Sequence, residues 1–122
     1  MDLEALEADL RAQALAFPET SEHFPWGERV VKVGAGANPK VFVFLSHWKD
    51  GFNVTLKLPQ SRDFALMFEP CTPSGHNLGK SGWVTTRLFA ASDFDTDLLG
   101  SWLEESYRAI APKRLVKAHF GA

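Results

Sequence analysis

The chain has one cysteine, Cys71, in 122 residues, so no intramolecular disulfide can form and a reducing compartment is the expected setting. Long hydrophobic runs are also missing. The longest strongly apolar stretch, Val41 to Leu45, is far short of the roughly 20 residues that a membrane-spanning helix needs, so no membrane contact is expected. Asp2, Leu3, Glu4, Glu7 and Asp9 open the chain without a basic n-region or an apolar h-region, so no secretory leader is expected and the cytoplasm is the expected location. Internal repeats, low-complexity segments and linker-like stretches are absent too, which leaves a single domain over residues 1–122. A domain of this length removes about two-thirds of its unfolded surface from water, so it needs neither metal nor disulfide staples for stability, and no cofactor is expected. Hydrophobic residues make up 45% and charged residues 23%, a balance that excludes disordered and fibrous chains.

What is present reads as alternating helical and strand patterns. Leu3, Leu6, Leu10, Ala14 and Phe17 recur at three- and four-residue steps, an amphipathic helix that Pro18 closes. Glu19 to Glu28 reads as an irregular linker, since Pro25 and Gly27 interrupt it, with Phe24 and Trp26 expected to fold back over the helix. Arg29 to Val33 is a short β-branched strand. Val41 to Leu45 is apolar on both faces and is expected to lie centrally. After the Asp50-Gly51 turn, Phe52, Val54, Leu56 and Leu58 alternate with Asn53, Thr55 and Lys57, which buries one face and puts Lys57 on the other. Pro59 suits the opening of a short helix, with Phe64, Met67 and Phe68 expected inward, and Pro70 ends it.

The stretch Ser74 to Leu88 joins a Gly-rich polar turn to an alternating strand. Trp83, Thr85 and Arg87 share one face of that strand, and Val84, Thr86 and Leu88 the other. Asp93, Asp95 and Asp97 mark a helix start, where the dipole favours negative charge. Phe94, Leu98, Leu99, Trp102, Leu103, Ser106 and Ile110 form its inner face, Pro112 ends it, and Lys113, Arg114 and Lys117 read as a basic tail. The predicted order is α-β(3)-α-β(2)-α, a two-layer α+β domain whose antiparallel sheet has helices on one face.

Several chemistries are disfavoured by spacing. Gly79-Lys80-Ser81 copies the end of a phosphate-binding loop, but it leads into a strand, so no helix N-terminus stands behind it. His23, His47, His76 and His119 share no spacing that would gather them on one element, so no metal site is expected. Asp93, Asp95 and Asp97 alternate as in a calcium loop, yet Leu98 occupies the position where that loop needs Gly. Cys71 and His76 stand five residues apart without a base-and-orienter signature; an enzyme using this pair is the third-ranked reading, and no catalytic residue is assigned.

Phe17-Pro18-Glu19-Thr20, His23-Phe24-Pro25-Trp26-Gly27, Gly51 to Lys57 before Pro59, Gly82-Trp83-Val84-Thr85-Thr86 and Ser106-Tyr107, in this order and spacing, resemble the MmcQ/YjbR-like family over nearly the whole chain. The resemblance implies the two-layer arrangement already read from the pattern. It also implies a largely uncharacterised family for which DNA binding has been proposed.

Charge layout points the same way. From Arg29 to Arg87 there are eight basic residues against the three acids Asp50, Asp63 and Glu69, while the flanking helical regions are acidic and the whole chain carries −2. A basic sheet face with hydroxyls and a ring can receive a polyanion, DNA or RNA, with Lys57, Lys80 and Arg87 neutralising phosphates and Trp83 and His76 adding contacts. The alternative is a protein-interaction adaptor that binds no nucleic acid.

Overall fold

The computed structural model describes residues 2–75 and 78–121. Helix α1 (Leu3–Ala16) begins at Asp2, whose side chain accepts from the Ala5 amide and so satisfies one of the unpaired donors of the first turn. Its apolar stripe is buried through Leu6, Leu10 and Ala14. Strands β1 (Thr20–His23), β2 (Arg29–Val33), β3 (Lys40–Trp48), β4 (Gly51–Lys57), β5 (Cys71–Pro73) and β6 (Trp83–Leu88) form one antiparallel sheet in the order β1-β2-β3-β4-β6-β5. Between them lies the short helix α2 (Arg62–Ala65), and after them come α3 (Thr96–Ile110) and α4 (Lys113–Phe120). Helix α1 packs on β1 and β2, α3 on β3 and β4, and α2 on β6. The helices thus cover one face of the sheet, as predicted. Among the described residues no helix is long and apolar enough to cross a membrane.

The register assigns side chains to faces. Val43 and Leu45 of β3, Phe52, Val54 and Leu56 of β4, and Val84, Thr86 and Leu88 of β6 line up across the ladders and point under the helices. Phe44 and Ser46, Asn53, Thr55 and Lys57, and Trp83, Thr85 and Arg87 face the other way. The β2–β3 ladder shifts between Val31 and Lys32, which leaves Phe42 without a partner on β2. Phe42 is buried with its ring centroid 5.3 Å from that of Tyr107. Ser106 of α3 reaches into this irregularity, accepting from the Lys57 amide at 2.9 Å and donating to the Phe42 carbonyl.

A second tie joins the two ends of the chain. Tyr107 stacks on Phe17 with centroids 4.4 Å apart and donates its hydroxyl to the Pro18 carbonyl at 2.9 Å. Burial, with the charge of Glu19, pushes the Tyr107 pKa up. Asp95 caps α3 by accepting from the Asp97 and Leu98 amides, so the acidic cluster is a helix start as expected. Glu105 on the same helix accepts from the Gln60 and Ser61 amides and the Ser61 hydroxyl, anchoring the β4–α2 connection.

Four sequence expectations are corrected. Thr20 to His23 is a strand paired with β2 and not part of an irregular linker, because the Pro25–Gly27 turn occupies only the end of that segment. Trp26 does not fold back over α1: it is 99% exposed, with φ of 52° placing it in the left-handed region. Phe64 and Met67 also face outward, since in so short a helix Ala65 takes the inner position and Phe68 reaches Phe94 and Trp102 from the following turn. The basic tail is the helix α4, held by buried Leu115 and by a two-pronged Arg114–Glu19 pair at 2.8 and 2.9 Å.

Candidate nucleic-acid interface

The helix-free face of the sheet brings together most of the residues singled out from the sequence. At strand positions it carries Lys32 on β2, Lys57 on β4 and Arg87 on β6, and among the described strand residues no carboxylate shares this face. Glu22 on β1 points to the helix side, where Arg11 and Arg29 bind it. There, burial raises its pKa, but the hydrogen bond from Arg11 and the charges of Arg29 and Arg11 outweigh burial and hold it below the ordinary carboxylate range.

Lys57 lies opposite Trp83 across the β4–β6 ladder, and exposed Lys80 stands on the short 3-10 turn Leu78–Ser81 that leads into β6. Arg87 is four residues further along the same strand, about 13 Å from Trp83 at ordinary strand rise. The cations therefore form two groups at opposite ends of β6. Between them runs a line of hydroxyls, Ser74 to Thr85 at 2.9 Å and Thr85 to Thr55 at 3.0 Å. His76 lies outside the described residues.

Trp83 occupies the predicted face but not the predicted environment. Its ring sits edge-on to Phe44 with centroids 5.6 Å apart and is only 8% exposed, so it is a packing residue with no open face for stacking. The open rings are Trp48, 49% exposed, and Phe89, 62% exposed. The Arg87 guanidinium carbon lies 3.6 Å from the centroid of Trp48 and 5.2 Å from that of Phe89, and the Lys49 ammonium is 4.7 Å from Trp48. Gly51, opposite Trp48 in the hairpin, lies against this stack: a Cβ there would stand 3.4 Å from Arg87 Nε and Nη2, an ordinary van der Waals contact. The sequence reasoning missed Trp48, although the alternation Phe44, Ser46, Trp48 carries it to the outer face one turn before Asp50-Gly51.

Arg87 also lines a cleft of about 500 Å³ at the edge of the sheet, with Glu69, Pro70, Thr72, Phe89 and Asp93. Its Nη2 and the Oδ1 of Asn53, directly across the ladder, are both shielded from solvent without a hydrogen-bond partner among the described residues. Asp93 is engaged, its carboxylate accepting from the Phe89 and Ala90 amides at 2.9 and 3.0 Å.

Cys71 is buried on the helix face, its sulfur 3.3 Å from the Thr86 hydroxyl. Burial pushes its thiol pKa up, against a smaller opposing effect of that hydroxyl. Among the described residues no group of three or more His, Cys, Asp or Glu side chains is arranged to hold a metal ion.

A family model described as YjbR matches residues 15–109. Among solved structures, the crystal structure of Deinococcus radiodurans protein DR2400, with the family-model domain DUF419, is similar at a TM-score of 0.72 and 26% identity, covering 95% of this chain and 81% of that one. No curated protein matches the chain.

Proposed function

This chain belongs to the YjbR family, and on that premise we propose that it is a nucleic-acid-binding module that receives the phosphate backbone of DNA or RNA on the helix-free face of its sheet. The observation that carries this reading is the segregation of charge. Lys32, Lys57 and Arg87 occupy outer strand positions that no described strand carboxylate shares, while Glu22 is drawn to the helix side by Arg11 and Arg29. Exposed Lys80 and Lys49 extend the positive surface beyond the strands. The Ser74, Thr85 and Thr55 hydroxyls supply neutral donors between the two cationic ends.

In this reading the domain binds and does not catalyse. A nucleophilic cysteine needs a lowered pKa, whereas burial raises that of Cys71.

The test is fluorescence anisotropy with labelled DNA and RNA oligonucleotides over a salt series. Binding should weaken with salt, and Lys57→Ala and Lys80→Ala should each reduce the magnitude of the log K against log salt slope by about 0.9 on duplex DNA. Lys113→Ala, on α4, should leave the slope near that of wild type. Wild-type protein without salt-sensitive binding at low ionic strength refutes the reading. Exposed Trp26 and Phe24 would then be the surface to pursue for a protein-interaction adaptor.

A further inference from the structure

We propose that the cleft formed by Glu69, Pro70, Thr72, Arg87, Phe89 and Asp93 holds one unpaired base of a single-stranded nucleic acid. The inference rests on the nucleic-acid reading above and specifies which form of the polymer the surface takes. The cleft, at about 500 Å³, falls within the range that encloses small ligands. One wall is the ring of Phe89, 62% exposed. Beside it the Arg87 guanidinium carbon lies 5.2 Å from the Phe89 centroid and 3.6 Å from that of Trp48, which stands outside the cleft, so the exposed Phe89 ring is the surface on which a base stacks.

Polar groups around the cleft discriminate between a base and a phosphate. A phosphate placed here would meet the carboxylates of Glu69 and Asp93 and be repelled by both. A neutral base instead carries donors and acceptors around its edge. Arg87 supplies donors to its acceptors, and Glu69 and the Thr72 hydroxyl supply acceptors to its amino or imino groups. In a duplex both faces of each base are covered by its neighbours, so a ring such as Phe89 can stack only on a base that is unpaired or turned out. The phosphates of the same strand then run over Lys57 and Lys32, where carboxylates are absent from the strands.

The experiment compares a labelled 12-nucleotide single strand of mixed sequence with the same sequence as a duplex, at low salt, by anisotropy. Wild type should bind the single strand about tenfold or more tightly. Phe89→Ala should weaken single-strand binding by about 5- to 150-fold, the range for loss of one base–aromatic stack, with the salt slope unchanged. Phe89→Tyr, which keeps the ring, should restore it. Phe89 is exposed, so both variants should retain the wild-type far-UV spectrum. Equal affinity for single strand and duplex, or wild-type affinity of Phe89→Ala, overturns the base site while the phosphate reading stands. Absence of salt-sensitive binding to either form overturns both.

Discussion

Replacing Ser106 with alanine is the sharpest test of how the two layers are joined. The residue is fully buried, and its hydroxyl serves two strands, accepting from the Lys57 amide and donating to the Phe42 carbonyl where the β2–β3 register slips. Alanine strands both backbone groups in the interior, and each unsatisfied buried group costs about 1–3 kcal/mol. Alanine's better helix propensity returns only about 0.5 kcal/mol. The net loss should be about 1.5–5.5 kcal/mol, a large fraction of the roughly 5–15 kcal/mol that holds a domain together. In a chain of this size that corresponds to a fall in Tm of about 6–20 °C. Urea unfolding followed by far-UV circular dichroism measures it, with the m value reporting whether the transition stays two-state. A loss under about 0.5 kcal/mol at unchanged m would show that the hydroxyl is not what closes the gap between α3, β3 and β4.

Three further outcomes follow from the structure. Glu22 has its pKa lowered in the fold, so its contribution to stability is present above the ordinary carboxylate range, begins to fade as pH falls into that range and is gone below the folded pKa; Glu22→Gln should flatten the acid loss of the urea midpoint, and an unchanged acid profile refutes this. Cys71 should react slowly with iodoacetamide at neutral pH in the native protein and quickly in urea, and Cys71→Ala should cost about 1–2 kcal/mol through lost packing; rapid native alkylation contradicts both. Trp26→Gly should stay within about 0.5 kcal/mol of wild type, because relief of the left-handed backbone offsets glycine's extra unfolded entropy; a loss above about 2 kcal/mol would mean that the ring is packed in solution.

The resemblance to the family is carried largely by residues that build the fold. Phe17 and Pro18 meet Tyr107, and Lys57, at the end of the β4 motif, meets Ser106, so three of the quoted segments converge on α3. This explains why those motifs announced the architecture more clearly than the activity.

Periodicity alone determined α1, β2 to β4, β6 and α3, the central place of Val41 to Leu45 and the outward side of Lys57 and Arg87, because spacing along one element sets which side chains share a face. It could not find β1, since Thr20 to His23 has no apolar alternation and becomes a strand only by pairing with β2. Nor could it separate Trp83 from Trp48. Both lie on the same face, but Trp83 is closed over by Phe44, which reaches it across β4 from β3, while Trp48 sits at the hairpin end, where Arg87 stacks on it beside Gly51. Exposure of a ring depends on what the adjacent strands place beside it, and tertiary register alone decides that.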